Sequence, residues 1–258
     1  MTLTATERFS NRAGAYVRGR PSYPHQLVEQ LQQVGALKPG HCVVDLGVGT
    51  GLSAEPFLRS GYSVIGVEPN EAMRLAGDQQ LAAYAANGGG YRSVAGTAEA
   101  TTLPDAIADL VIAGQAFHWF NIERSAIEAR RIVRPGGWAA LIWNDRQSTG
   151  SAFLAGYEEL LRTHGIDYAN TVHRHIDEKG IAQFFGPAHV SVATFDNPRE
   201  LQREDLLALA GSASYLPAPG DPRHAAMLSA LNALFDARER NGSVQMMYLT
   251  RMHYARLS

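Results

Sequence analysis

Cysteine is nearly absent from this sequence, which contains Cys42 alone. A single cysteine cannot close an intramolecular disulfide, and it cannot supply the paired cysteines of a zinc site. The chain therefore fits a reducing compartment, and we expect a cytoplasmic protein. No His or Cys stands at motif spacing from Cys42, so we interpret it as a small apolar side chain of a strand and not as a reactive thiol.

Long apolar runs are also missing. No stretch of about 18 uninterrupted apolar residues occurs. Residues 1–10 contain Thr, Glu and Arg where an export signal would need an apolar core. The sequence thus predicts neither an export signal nor a membrane span.

Neither sign of charge dominates the composition. The chain has 23 Lys and Arg against 25 Asp and Glu, and its formal net charge is -2. A protein without a broad positive field lacks the interaction that drives binding to DNA or RNA. We expect a small-molecule substrate, no nucleic-acid or membrane partner, and either a monomer or a homodimer.

Patterns of metal ligands are scarce as well. His173 and His175, with Asp177 nearby, are the one suggestive group. Two histidines in a polar stretch without a regular third ligand are typical of a solvated segment. The sequence therefore predicts no metal site.

Short apolar runs do occur, and they alternate with helical patterns. The strand candidates are residues 41–46, 63–67, 91–94, 108–113 and 138–143. A helical pattern over residues 122–133 stops at Pro135, Gly136 and Gly137. Such alternation predicts a doubly wound α/β fold with a mostly parallel, Rossmann-like sheet.

The pattern changes after residue 150, where aromatic side chains are scattered through helical and loop stretches. This part is predicted to form a helical cap over the sheet. Residues 190–195 and 244–254 alternate apolar and polar side chains, and a turn signal, Asn241 followed by Gly242, precedes the second run. These two strands are expected to complete a seven-stranded sheet as an antiparallel edge.

The strongest local motif is a glycine turn at residues 43–51, Val-Val-Asp-Leu-Gly-Val-Gly-Thr-Gly. Glycines permit positive φ and leave room for a ligand, and Asp45 can bind hydroxyl or ammonium groups. Glu68 ends the next strand, 17 residues after Gly51. A Rossmann-like sheet places the acid that holds ribose hydroxyls at this position. We expect an adenosine ligand, with Ser53 capping the helix that follows the turn.

Further segments follow the later strands in order: residues 97–99 (Thr-Ala-Glu), 115–120 (Gln-Ala-Phe-His-Trp-Phe) and 134–137 (Arg-Pro-Gly-Gly). With the glycine turn, they make residues 9–145 resemble class I S-adenosylmethionine-dependent methyltransferases of the small-molecule type. Residues 9–24 resemble the N-terminal lid of a subgroup that includes trans-aconitate methyltransferases. The cap shows a looser likeness, clearest at residues 212–215 (Ser-Ala-Ser-Tyr).

The resemblance implies S-adenosylmethionine as the cofactor and methyl transfer to a small-molecule acceptor, with a carboxylic acid as one candidate. The implied cofactor-binding residues come from the lid, the glycine turn and the strand ends; they are Tyr16, Arg20, Asp45, Gly47, Gly49, Gly51, Glu68, Pro69, Ala98, Glu99, Gln115, Ala116 and Phe117. The expected organisation is a lid and cofactor-binding core (1–149), cap or substrate-binding insertions (150–187 and 198–241), and strands that complete the core (188–197 and 242–258).

The expected substrate pocket contains Trp119, Trp143, Arg146 and Tyr215, with His118 as the candidate catalytic residue. An ionised carboxylate acceptor needs no base at pH 7, whereas a phenol, alcohol or ammonium does. His118 is therefore either a general base or part of the pocket wall.

Each of the other side chains also has a structural alternative. Trp119 and Trp143 either attract the sulfonium through their rings, an effect of about 0.5–2 kcal/mol, or pack in the core. Arg146 either grips an acidic substrate or faces solvent, and Arg20 either meets the cofactor carboxylate or forms a surface ion pair.

Two other functions are compatible with the same sheet. An NAD(P)-dependent oxidoreductase prefers Gly-x-Gly-x-x-Gly, but here Gly51 comes one residue early and Asp45 would face the pyrophosphate. A non-catalytic cofactor-binding protein stays compatible with the sequence.

Overall fold

The computed structural model describes residues 19–86, 90–166, 168 and 178–257. A sheet of seven strands forms its centre. The strands are β1 (Cys42–Leu46), β2 (Ser63–Val67), β3 (Tyr91–Val94), β4 (Ala108–Gly114), β5 (Val133–Arg146), β6 (Ser191–Gln202) and β7 (Ser243–Arg256). Their order in the sheet is β3-β2-β1-β4-β5-β7-β6. The predicted α/β fold with a seven-stranded, mostly parallel sheet is confirmed.

The strands divide into a parallel part and an antiparallel part. β1, β2, β3, β4 and β5 pair in parallel. Four of the five residues of β1 are buried, as expected for a strand with helices on both faces. β7 runs antiparallel to both of its neighbours, β5 and the edge strand β6. The expected antiparallel strands therefore close one edge of the sheet.

Helices cover the sheet and build the cap. They are α1 (Gln26–Gln33), α2 (Glu55–Arg59), α3 (Glu71–Gln80), α4 (Ala82–Ala86), α5 (Ile122–Ile132), α6 (Ala152–His164), α7 (Glu178–Phe185), α8 (Arg203–Ser212) and α9 (His224–Arg238). The side chains of Asn70 and Asn121 cap α3 and α5 by accepting backbone N–H groups at 3.1 Å. Across the part of the chain described, no helix is both long and apolar enough to cross a membrane.

The start of α2 differs from the prediction that Ser53 caps it. Ala54 occupies the N-cap position, and Pro56 lies in the first turn, where its missing N–H is tolerated. Ser53 instead donates its hydroxyl hydrogen to Asp45 at 2.6 Å. The serine thus belongs to the glycine turn and not to the helix.

Two strands, β5 and β6, extend far beyond their predicted bounds. β5 begins at Val133, directly after α5, and a register shift between Ala108 and Leu110 accommodates its first residues beside β4. β6 continues to Gln202, so residues 198–202, expected in a cap insertion, pair with β7. Pro198 lies inside this strand, which is tolerated because β6 is at the edge of the sheet.

Three apolar clusters stabilise the molecule. Two of them flank the sheet, and the third, the cap cluster, joins α6, α8 and α9 to the first half of β7. Phe184 and Phe185 of α7 are fully buried in a sheet cluster. The segment 150–187, expected to be a cap as a whole, is therefore divided: α6 joins the cap cluster, whereas α7 packs on the sheet.

Candidate functional site

A cavity of about 930 Å³ opens at the carboxyl ends of the parallel strands and extends to the cap. Its walls include the turns after β1, β2, β3 and β4, the end of β5, and side chains of α6, α8 and β7. In open α/β sheets ligands bind outside the carboxyl ends of the strands. The cavity is thus the candidate ligand site.

Most of the predicted site residues lie together around this cavity. Those that line it are Arg20, Gly47, Gly49, Glu68, Pro69, Ala98, Glu99, Gln115, Ala116, His118, Trp119, Trp143, Arg146 and Tyr215. Asp45, Gly51 and Phe117 are not among the lining residues, and Tyr16 lies outside the described residues.

The glycine turn brings the backbone close to its neighbours. Gly47 has φ +68°, and a Cβ atom there would stand 2.8 Å from the Cβ of Ala116. Gly51 has φ +91°, and a Cβ atom there would stand 2.5 Å from Leu81. Gly47 therefore shapes the cavity wall, whereas Gly51 allows the turn to pack on Leu81 and does not line the cavity.

Glu68 holds the turn from the end of β2. Its carboxylate accepts the backbone N–H of Gly49 at 3.0 Å and that of Asn70 at 2.8 Å. Burial raises the pKa of Glu68, and these two N–H groups oppose the rise. Each carboxylate oxygen can accept a further hydrogen bond. Glu68 is thus fixed in place with capacity left for ligand hydroxyls.

Asp45 lies behind the turn and not at the cavity. It is fully buried, Ser53 donates to its Oδ2, and its Oδ1 has no partner among the described residues. Burial raises the pKa of Asp45 to about 7, and the charge of Glu68 adds to the rise. Asp45 is not among the lining residues whereas Ser53 is, and contact of Asp45 with a ligand stays a prediction.

The turn after β3 presents Ala98 and Glu99 to the cavity. Thr97 and Ala100 exchange backbone hydrogen bonds of 3.1 and 3.2 Å, which closes the turn. Glu99 accepts the backbone N–H of Asn121 at 2.7 Å. The turn after β3 is therefore anchored to Asn121, the residue directly before α5.

The segment after β4 divides its side chains between core and cavity. Gln115 has φ +53°, and its side chain donates to the carbonyl of Asn144 at 2.9 Å. Phe117 packs edge-on against Trp143 and Phe184, with ring centroids 6.0 and 5.4 Å away, so its side chain lies in the core. His118 and Trp119 are exposed at the cavity wall, their ring centroids 4.9 Å apart.

Arg146 does not face bulk solvent, and its predicted contact with an acidic substrate stays a prediction. Its side chain is only 16% exposed and forms an ion pair with Glu158 of α6 at 2.5 Å. It also donates to the hydroxyl of Tyr168 at 2.8 Å. Arg146 therefore reaches the cavity as part of a contact between β5 and the cap.

Arg20 contacts the cap and is not confined to a surface ion pair. Its guanidinium donates to the carbonyl of Ser212 at 3.2 Å. Ser212 begins the segment 212–215, where the cap shows its clearest likeness, and Ser214 and Tyr215 of this segment line the cavity. This part of the cap is thus attached to the segment that precedes α1.

Sequence reasoning missed several residues of the site. Asn144 accepts from Thr250 at 2.5 Å and donates to the carbonyl of Ser22 at 3.2 Å, so it ties β5, β7 and the segment before α1 together. Tyr157 and Tyr248 line the cavity from α6 and β7. In the sequence Tyr157 is one more aromatic residue of a helical pattern, and only tertiary packing shows what it faces.

The suggested metal ligands His173, His175 and Asp177 lie outside the described residues. Among those that are described, no group of three or more His, Cys, Asp or Glu side chains could hold a metal ion.

Comparison with known proteins finds similarity to methyltransferases. Residues 44–141 match the model of a methyltransferase domain. An uncharacterized methyltransferase of Mycobacterium tuberculosis is 36% identical over 142 residues, which is 54% of this chain and 52% of the relative. An uncharacterized methyltransferase of Schizosaccharomyces pombe is 31% identical over 144 residues, 55% of this chain and 54% of the relative. The chain spans about half the length of the curated relatives it matches.

Solved structures share the fold over a larger part of the chain. A candidate type II methyltransferase from Anaeromyxobacter dehalogenans has a TM-score of 0.66 at 22% identity and covers 92% of this chain and 98% of its own. At these identities the likeness concerns the fold. Residues 44–141 thus match a methyltransferase domain, and the chain shares its fold with a solved methyltransferase structure.

Proposed function

We propose that this protein binds S-adenosylmethionine at the carboxyl ends of its strands and transfers the methyl group to a small-molecule acceptor. One observation carries the proposal. The Glu68 carboxylate, fixed by the N–H groups of Gly49 and Asn70, lies at a cavity beside a glycine turn in a matched methyltransferase domain.

The residues present fit this cofactor. Glu68 has lone pairs left for two ribose hydroxyls, and Gly47 lets a ligand approach the backbone closely. The turn with Ala98 and Glu99 suits a base edge, and Ser53, whose hydroxyl donates to Oδ2 of Asp45, lines the cavity beside the glycine turn. About 930 Å³ is near the upper end of the roughly 300–1,000 Å³ of small-molecule sites, which leaves room for an acceptor.

We extend the proposal to a carboxylic acid as the acceptor, in line with the resemblance to the subgroup that includes trans-aconitate methyltransferases. The sulfonium of the cofactor supplies an electrophilic methyl group. A carboxylate oxygen forms the new bond to the methyl carbon while the carbon–sulfur bond breaks and its electron pair stays on sulfur. The products are a methyl ester and S-adenosylhomocysteine.

The chain's own residues then orient the acceptor and exclude water. Because an ionised carboxylate needs no base, His118 belongs to the cavity wall in this proposal, together with Trp119 and Trp143. The proposed setting is cytoplasmic, with a small-molecule partner.

The test combines binding and turnover. S-adenosylhomocysteine at about 100 times its dissociation constant should stabilise the fold by about 2.7 kcal/mol, visible as a higher melting temperature. Glu68→Ala should abolish the rise. Glu55→Ala is the matched control, because Glu55 pairs with the exposed Arg59 away from the cavity. Transfer of labelled methyl from S-adenosylmethionine should occur to carboxylic acids and not to their amides.

Three results would contradict the proposal. These are stabilisation by NADH in place of the sulfur nucleoside, no stabilisation by either, or equal loss of stabilisation in both glutamate variants. Transfer to amines or phenols alone would leave the cofactor assignment in place and overturn the acid as acceptor.

A further inference from the structure

The cavity has a second polar end, where the cap meets β5 and β7. Tyr157, Tyr215, Tyr248 and Arg146 line it, and we call these four residues the tyrosine end. None of them belongs to the matched segment 44–141. The methyltransferase domain therefore does not account for this part of the cavity.

Two of the phenol groups lack a hydrogen-bond partner although their rings are buried. Tyr157 is 1% exposed and Tyr248 is 5% exposed. Among the residues that the structure describes, neither hydroxyl donates or accepts a hydrogen bond. Both side chains line the cavity, so their hydroxyls can donate to whatever fills it. Two such donors at the wall of one cavity suit a ligand that accepts their hydrogens.

The surroundings keep both phenols protonated. Burial raises the pKa of Tyr248 to about 12, and burial also raises the pKa of Tyr157. Ionised tyrosine is therefore not available at neutral pH, so these groups act as donors and not as bases. The charges of Arg20 and Arg146 act on both hydroxyls and partly oppose the rise. A ligand atom that accepts from the phenols thus lies in a positive field.

Arg146 is held in a fixed orientation at this end. Its guanidinium carbon lies 5.2 Å from the centre of the Tyr157 ring, and Glu158 pairs with it from α6. Glu158 itself does not line the cavity, whereas Arg146 does. The cavity therefore meets the cationic partner of the pair together with neutral donors, a combination that suits an oxyanion.

We propose that the tyrosine end is an anion subsite in which the hydroxyls of Tyr157 and Tyr248, beside Arg146, bind a carboxylate of the methyl acceptor. This inference rests on the proposed function and deepens it, because it assigns the residues that select an acidic acceptor. Donors to a charged acceptor form the stronger class of hydrogen bonds. An uncharged amide of the same shape should therefore bind much more weakly.

The test is titration calorimetry on the protein saturated with S-adenosylhomocysteine. The probes are benzoate, glutarate and octanoate, each compared with its amide. At least one acid should bind about tenfold more tightly than its amide, and Tyr157→Phe and Tyr248→Phe should each weaken that acid about tenfold. Tyr254→Phe is the matched control on the same strand, because its hydroxyl accepts from Gln30 and does not line the cavity.

Loss of an oxygen atom leaves each ring in place, and the melting temperature of each variant checks that it is folded. The inference fails if no acid binds, if acid and amide bind equally, or if both phenylalanine variants bind the acid like the wild type. It also fails if these variants lose S-adenosylhomocysteine instead, since the hydroxyls would then serve the cofactor. Failure of the proposed function gives a different result, because the wild type would then not bind S-adenosylhomocysteine. In that case the same titrations on the protein without S-adenosylhomocysteine would still test whether the acid binds.

Discussion

The two carboxylates at the glycine turn differ in how their negative charge is compensated. Glu68 accepts two backbone N–H groups, whereas Asp45 accepts one serine hydroxyl and is fully buried. A charged form without donors is disfavoured in a dry interior, so Asp45 holds a proton far above the usual pH range of an aspartate. The turn thus contains one fixed acceptor and one titrating group.

The titration of Asp45 predicts how stability depends on pH. Its pKa is about 7 in the folded protein, against about 3.9 when unfolded. Between these values the folded state binds more protons than the unfolded state, so the contribution of Asp45 to stability declines as pH rises from about 4 to about 7. Asp45→Asn should remove this decline. The free energy of urea unfolding, measured across that window, checks it; parallel curves for variant and wild type would contradict it.

Substitution of Gly47 should lower both the stability of the protein and its ligand binding. Gly47→Ala places a side chain at φ +68° and within 2.8 Å of Ala116, so strain and overlap add. We expect a loss of about 2–5 kcal/mol in the free energy of unfolding, together with loss of S-adenosylhomocysteine binding. Chemical denaturation and the ligand-induced change in melting temperature measure the two effects.

Gly40 offers the matched control for this substitution. It has φ +82°, but no atom lies within 4 Å of a Cβ built there. Gly40→Ala should cost only the backbone strain of about 1–2 kcal/mol and leave ligand binding intact. Equal losses in the two variants would show that contact with Ala116 contributes nothing.

At the scale of elements, the parallel half of the sheet could be predicted closely from the sequence. β2 and β3 have the predicted bounds. Four of the five residues of β2 are buried, and a strand of this kind reads as a short apolar run. The turns that follow them carry the candidate ligand-binding residues at the carboxyl edge, a position fixed by chain direction. The local sequence pattern is sufficient to place these residues, because each turn directly follows its strand.

The cap and the edge could not be predicted in the same way. The burial of Phe184 depends on α7 packing beside α5, a contact between segments about 50 residues apart, as shown by Arg130 donating to the Phe184 carbonyl. The ion pair of Arg146 with Glu158 and the direction of Tyr157 depend on where α6 lies over β5. Alternating side chains could not reveal that β6 continues through Pro198, because proline normally ends a strand.

The cap has its own apolar cluster, so we expect that it can unfold locally while the sheet stays folded. Leu231 of α9 and Leu110 of β4 are both 0% exposed, one in the cap cluster and one beneath the sheet. Each change to alanine should cost about 2–5 kcal/mol. For Leu231→Ala we expect faster amide hydrogen exchange in α6, α8 and α9 with little change in β1 and β4. Leu110→Ala should accelerate exchange in β1 and β4; the same exchange pattern in both variants would refute separate cap stability.

At the scale of the whole molecule, the matched domain and the cavity cover different parts of the chain. The domain match ends at residue 141, before β5 is complete, whereas the cavity continues to Tyr248. The turns of the first part carry the proposed cofactor site, and the acceptor end depends on residues beyond the match. For this reason the comparison bears on the proposed cofactor site, while the proposed acceptor is argued from geometry.

The net charge of the whole chain bears on the kinds of partner that it can bind. The formal net charge of -2 gives no reason for the chain to collect on nucleic acid, and the predicted absence of such a partner stays a prediction. The charged groups of the cavity are of both signs, with Glu68 and Glu99 near the strand ends and Arg146 at the tyrosine end. Selectivity is therefore local and not a property of the overall field.

The pairing of β6 with β7 has a consequence for how such a protein can be remodelled. Gln202 and Ser243 are register partners at one end of the hairpin, so the chain leaves the sheet and returns to it at neighbouring points. Everything between them, including α8 and α9, is an excursion from a continuous pair of strands. A foreign segment of any length whose ends meet could be spliced in at these two points, since closing a longer loop costs little additional entropy. Such an exchange would replace Leu209, Ser214 and Tyr215 at the cavity wall, while Arg146, Tyr157 and Tyr248 stay in place and the strands keep their register.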